Sequence, residues 1–263
     1  MKTFAIAGCG HLGTIIRNAY LGGFLNDYKL IAAYSRNEED AKKLVMETGA
    51  EALSSMDDVI RHKPDYIIET ASIALFKDFA IKALEEGISV IPLSIGAFAD
   101  SAFKDEAMKA AEKSGARIYI PSGAVGGFDA MMTISLMAKA NGWPIKAGLY
   151  NHKGPAGLRN TPLYSEELKE EERRVFYGTT AEAIAILPTK VNVAVATALS
   201  SIGADNATAE IVCSPDFTGD TQCAFAETEG NRVRADIYSA TSDIAAWSVV
   251  ALMRNLTSTM IFF

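Results

Sequence analysis

The chain has little of what a secreted, membrane-bound or nucleic-acid-binding protein needs. Its 263 residues include three cysteines, Cys9, Cys213 and Cys223, too few and too scattered for a disulfide framework or a zinc site, so reduced thiols and no metal are expected. Positive charge is also short, with 25 Lys and Arg against 32 Asp and Glu for a net charge of -7. A surface that neutralises phosphates needs clustered cations, so neither nucleic acid nor an acidic membrane is an expected partner. A small anionic substrate stays open, because a few placed cations can hold it. Apolar runs fall short of the roughly 20 residues that a membrane span requires. The opening run Met1–Ala7 leads straight into glycines and does not resemble a secretory leader. The expectation is a soluble, cytoplasmic protein.

What the chain does have is apolar material, 49% of its residues, enough for a sizeable core in one large or two ordinary domains. The first half alternates short apolar runs with segments of helical spacing. Thr3–Ala7, Leu30–Tyr34, Tyr66–Glu69, Ser89–Leu93 and Arg117–Ile120 read as buried strands. Between them, Thr14–Leu21, Glu38–Glu47, Ala74–Glu86 and Phe103–Ser114 read as helices. This β-α alternation predicts an α/β fold, a doubly wound parallel sheet with helices on both faces. Past Pro121 the pattern changes. A helix over Phe128–Ala140 precedes period-two segments at Lys146–Asn151, Glu210–Ser214, Cys223–Glu227 and Arg232–Ser239, which predict a separate α+β domain with an antiparallel or mixed sheet. The boundaries read as 1–121 and 122–241, with a helix in 242–263 packing back on the first domain. The charged run Glu166–Arg174 reads as a solvated helix face.

Gly8-Cys9-Gly10-His11-Leu12-Gly13 fits G-x-G-x-x-G, follows a strand and opens a helix at the chain start. In that setting Gly8 allows the tight turn, Gly10 lets backbone approach a pyrophosphate, and Gly13 lets helix meet strand. The helix N-terminus supplies free N–H groups and a favourable dipole to phosphates. The first domain is therefore expected to be a Rossmann domain that binds a nicotinamide dinucleotide. The end of its second strand reads Tyr34-Ser35-Arg36-Asn37, with no carboxylate before Glu38 to accept from a ribose 2′-hydroxyl. Ser35 and Arg36 favour NADP over NAD, or tolerance of both, unless Arg36 is merely a solvated cation.

With these residues in view, the chain resembles the L-aspartate dehydrogenase family over nearly its whole length. Besides Gly8–Gly13, the matching stretches are Glu69-Thr70-Ala71-Ser72, Ser94–Asp100, Ser122–Asp129, Leu187–Ala194 and Ala209–Pro215. The resemblance implies a second α+β domain carrying the active site and subunit contacts, and a homodimer. It implies that Ala124 and Asn192 contact the cofactor, and Ala71 is placed with them. It further implies reversible oxidative deamination of aspartate. On the residues alone, Asn192 is a polar side chain in an apolar run, equally at home with a ligand or satisfied in a core. The glycines around Ala124 let backbone lie close to a ligand.

Three departures from the family pattern fall near the expected chemistry. Where the family carries an active-site His, this chain has Gln222, which cannot exchange a proton near neutral pH. No histidine exists beyond His152, so a shifted alignment cannot restore it. Where the family has T-R-K-P-P, this chain has Asn151-His152-Lys153-Gly154-Pro155, replacing an Arg by His152 and keeping Lys153. Lys190 stands where the family usually has Asn. Lys153 is therefore read as binding a carboxylate substrate and His152 as supplying a proton path, the other reading being that both lie on an exposed loop. His11 reads as structural within its loop and His62 as a surface residue. Two rival functions remain: a reductase of another carbonyl or imine that uses no ammonia, and a non-catalytic, cofactor-binding paralogue.

Overall fold

The computed structural model describes residues 1–188 and 190–262. Thr189, inside the family-like stretch 187–194, and Phe263, at the end of the C-terminal segment, lie outside the described residues. The chain divides into two compact units, Met1–Gly123 joined by Asp243–Phe263, and Ala124–Ser242.

In the first unit the short apolar runs become strands that are covered on both faces, and a short exposed strand, Glu51–Leu53, pairs at one edge. The strands are β1 (Lys2–Ala7), β2 (Tyr28–Tyr34), β3 (Glu51–Leu53), β4 (Tyr66–Glu69) and β5 (Ser89–Pro92). All pair in parallel in the order β3-β2-β1-β4-β5. β1 lies at the centre, with Phe4, Ala5, Ile6 and Ala7 all fully buried. The intervening helices are α1 (His11–Leu21), α2 (Glu38–Val45), α3 (Met56–Arg61), α4 (Ile73–Glu85) and α5 (Ser101–Ser114). Side-chain caps from Asn37, Ser55, Ser72 and Asp100 start four of them.

Two expectations need correction here. Arg117–Ile120 is not a fifth strand: Ile118 forms one isolated bridge with Val90, and the segment then runs into Pro121, which has no N–H to continue a ladder. The short β3 and α3 were not expected at all.

The second unit is built on a mixed sheet. Its elements are α6 (Phe128–Asn141), β6 (Ile145–Lys153), α7 (Pro155–Leu158), β7 (Arg173–Thr179), α8 (Thr180–Ile186), α9 (Asn192–Leu199), β8 (Thr208–Cys213), β9 (Asp220–Thr228) and β10 (Asn231–Ser239). The order is β10-β9-β6-β8-β7, parallel between β6 and β8 and antiparallel elsewhere. The charged run is no single helix. A 3-10 turn spans Glu166–Lys169, and Arg173 already begins edge strand β7. α6 and α9 pack on β6 and β9, and the buried face there carries Ala147, Leu149 and Asn151 opposite Gln222, Ala224 and Ala226. The last helix, α10 (Asp243–Thr257), returns to the first unit and packs on α1.

Candidate active site

The glycine loop has the geometry its residues require. Gly8 stands at φ 110°, and a Cβ there would lie 2.8 Å from the Ala71 nitrogen. A Cβ on Gly13 would fall 2.2 Å from the Gly8 carbonyl oxygen, so α1 can sit this close to the β1 end only without a side chain. Gly10 differs: nothing lies within 4 Å of its Cβ position. It is the N-cap of α1 and offers no side-chain cap, which leaves the first N–H groups of the helix, including those of His11 and Leu12, for another acceptor. Thr70 Oγ1 donates to the Gly8 carbonyl at 2.7 Å and the Gly8 N–H donates to Tyr34 at 2.8 Å, tying the loop to the ends of β4 and β2. An open backbone cradle at an uncapped helix start, beside the point where strand order reverses, fits a dinucleotide pyrophosphate.

Around it, Ser35 is half-buried and Arg36 exposed at the end of β2. The His11 ring meets Asp243 at 2.6 Å, so it ties the loop to α10. Ala71 donates its N–H to Glu69 Oε1 at 2.6 Å. Glu69 itself is fully buried and also accepts from the Ser94 N–H at 3.0 Å and the Ser94 hydroxyl at 2.9 Å. Burial pushes its pKa up, against the opposing pull of those donors. The three cysteines are free and buried, and burial drives the Cys9 thiol up to about 12, so it is inert as a nucleophile. His62 is exposed, with its ring 3.4 Å from Glu51.

In the second unit the strand register decides which predicted residues meet. β6 and β9 are antiparallel, with Asn151 opposite Gln222 and Lys153 opposite Asp220. These four share one face. Asn151 Nδ2 donates to Asp220 Oδ1 and, at 3.0 Å, to the Thr221 carbonyl. Gln222 Nε2 donates to Asp220 Oδ2 at 2.8 Å, and Lys153 Nζ lies 3.6 Å from the same oxygen. Lys153 keeps 16% of its side-chain exposure, and Gln222 is 7% exposed.

His152 does not join them. It lies within β6, not on a loop, and consecutive strand residues point to opposite faces. Its Nε2 meets Ser214 Oγ at 2.6 Å, its ring stacks on Phe217 with centroids 3.9 Å apart, and Ser214 donates to Glu172 at 2.6 Å. The expected partnership of His152 with Lys153 is thereby corrected. Asn151 and Asp220 were missed, although each stands two positions from a chosen residue and so on its face. Ala124 opens the second unit, half-buried; Asn192, also half-buried, is the first residue of α9. Lys190 Nζ donates to the Gly157 carbonyl at 3.1 Å.

A parallel sheet wound in this order with an open glycine cradle at its switch point is the fold of a dinucleotide-binding protein. Residues 8–121 match the NAD-binding domain model of homoserine dehydrogenase, and residues 136–256 match the C-terminal domain model of aspartate dehydrogenase. L-aspartate dehydrogenase of Methanococcus maripaludis (strain C6) is 33% identical over 98% of this chain and 97% of its own length. That of Methanocaldococcus jannaschii is 32% identical over 97% of each. The chain belongs to the L-aspartate dehydrogenase family. The crystal structure of aspartate dehydrogenase from Thermotoga maritima shares the fold, with a TM-score of 0.78 and 24% identity over the whole of both chains. A hyperthermophilic archaeal homoserine dehydrogenase in complex with NADPH also shares it, with a TM-score of 0.59 and 14% identity over the whole of both chains.

Proposed function

We propose that this chain catalyses the reversible oxidative deamination of L-aspartate and prefers NADP. The observation that carries this reading is the pairing of Lys153 with the Asp220–Gln222 cluster on one face of the second sheet, in a chain of this family. Lys153 offers an ammonium to a substrate carboxylate. The uncapped start of α1 holds the pyrophosphate, while Ser35 and Arg36 favour a 2′-phosphate, there being no carboxylate before Glu38. When bound, the cofactor supplies the hydride acceptor. Loss of hydride from the substrate Cα and a proton from its amine gives an imino acid, which water converts to oxaloacetate and ammonia. Of the ionisable groups named on that face, Lys153 and Asp220 remain to carry the proton, since Gln222 cannot and His152 points away. In the same reading the enzyme is a cytoplasmic homodimer that meets its partner through the other face of the second sheet, where Tyr177 and Tyr238 stand exposed. A monomer by light scattering would refute that part.

The test follows NADPH and NADH oxidation at about 340 nm, the nicotinamide band of the reduced cofactor, with oxaloacetate, pyruvate and 2-oxoglutarate, each with and without ammonium. Ammonium-dependent turnover of oxaloacetate, faster with NADPH, is expected. Turnover that ignores ammonium favours the second reading, a carbonyl or imine reductase, to which Gln222 in place of a proton-exchanging His gives its support. Absence of turnover with all three acids removes the aspartate assignment.

A further inference from the structure

Gln222 carries an acceptor that nothing among the described residues uses. A carboxylate only accepts hydrogen bonds, so the amide nitrogen of Gln222 has to face Asp220, as it does at 2.8 Å. The opposite rotamer would set oxygen against oxygen. Asp220 is held in turn by Asn151 on its other oxygen and by Lys153 nearby. The consequence is that Gln222 Oε1 is turned away from Asp220, is buried, and has no hydrogen-bond partner. Buried acceptors are almost always paired. The comparable atoms among the described residues, on Thr180, Thr197 and Ser239, are hydroxyls, which rotate to suit their surroundings. An amide locked by a carboxylate cannot.

We infer that Gln222 Oε1 is the acceptor for the amino nitrogen of the substrate, with Asp220 the positioning residue that fixes its direction. This deepens the amino-acid reading above and rests on it. The donor must bring N–H or O–H, and the neighbouring Asp220 carboxylate favours one that is positively charged. Lys153, on the same face and reaching the same Asp220 oxygen, offers the opposite charge to a carboxylate. One fixed acceptor and one cation match the two ends of an α-amino acid. The amine keeps an N–H when it becomes an imine, so the bond persists on both sides of hydride transfer. Gln222 thus recognises the nitrogen and exchanges no proton, whereas a histidine there could do both.

Gln222→Leu and Gln222→Met remove the acceptor at similar volume, and Asp220→Asn offers Gln222 a donor and lets its amide turn round. The full-length enzyme with NADP⁺ is assayed for KM with L-aspartate and for competitive inhibition by succinate, which has both carboxylates and no amine. All three variants are expected to raise KM for aspartate by about tenfold or more, the scale of a lost hydrogen bond to a charged group. In the two Gln222 variants the succinate constant should stay within about twofold, because none of its contacts uses Oε1. A parallel rise in both constants, or an unchanged KM for aspartate, overturns the role given to Gln222. A wild-type enzyme that does not oxidise aspartate overturns the underlying amino-acid reading instead, before any variant is made.

Discussion

At the scale of a single residue, Glu69 is the charged side chain that is fully buried among the described residues of the first unit. Its carboxylate is fully buried at the end of β4 and joins the segment after β4 to the segment after β5 through Ala71 and Ser94. Desolvation dominates, and the folded pKa lies above the ordinary glutamate value. The folded state therefore binds the proton more tightly than the unfolded chain does. The resulting stability is fully present below the unfolded pKa and is lost as pH rises through the folded one. Urea denaturation across a pH series should show the wild type losing ground to Glu69→Gln over that window, whereas parallel curves would refute the assignment. Glu69→Ala goes further. It leaves the buried Ser94 N–H and hydroxyl without their acceptor and should cost about 3 kcal/mol at neutral pH. The buried state of Glu69 could not be read from sequence, since Tyr66-Ile67-Ile68-Glu69 shows a strand ending in a charge, which usually marks an exit to solvent.

At the scale of elements, the turn from β1 to α1 separates two uses of glycine that the motif alone cannot. Gly13→Ala would set its Cβ 2.2 Å from a backbone oxygen, so α1 has to move off β1. A loss of about 2–3 kcal/mol in stability is expected, together with loss of dinucleotide binding. Gly10→Ala meets no atom within 4 Å and has an ordinary φ of -78°. Its melting temperature should hold while NADPH affinity falls, because the added methyl occupies the space a pyrophosphate would take. Titrating both variants by protein fluorescence, beside their thermal melts, checks this; equal effects on stability would be the contrary result. The same elements show what the sequence makes legible. β1, β2 and β4 stand out because central strands are apolar on both faces. Glu51-Ala52-Leu53 does not, as a three-residue edge strand with exposed chains carries no such signal. β7 hides behind Arg173-Arg174 for the same reason, and the charge run before it reads as helix. In the candidate site, Lys153 and Gln222 were visible by type, and alternation along β6 already sets His152 apart from Lys153. Their meeting was not visible, because it depends on the register that places Asn151 opposite Gln222 and Lys153 opposite Asp220.

At the scale of the whole molecule, the two ends of the chain belong to one unit, and that decides what can fold alone. Ala246, Val249, Val250 and Met253 of α10 sit in the same apolar cluster as Phe4, Ile6, Ile16 and Leu30. Tyr28 donates its hydroxyl to the Met253 carbonyl at 2.7 Å, and the Gly123 N–H donates to Ser248 Oγ at 3.0 Å. Burial of Val249, Val250 and Met253 alone contributes on the order of 6 kcal/mol, comparable with the about 5–15 kcal/mol by which domains are stable. A fragment of residues 1–123 contains every strand of the first sheet and the entire glycine loop, yet it exposes the α1 surface that α10 covers. It should therefore be largely unfolded in water. Joining 1–123 to 243–263 through a short Gly-Ser linker should restore both a cooperative urea transition and dinucleotide binding, followed by circular dichroism and fluorescence. If 1–123 unfolds with the same midpoint as the joined form, α10 is an ornament on a self-sufficient unit. If only the joined form is cooperative, the dinucleotide-binding fold is complete only after the chain has crossed the whole second unit and returned, and its cofactor loop is supported by a helix made after that unit.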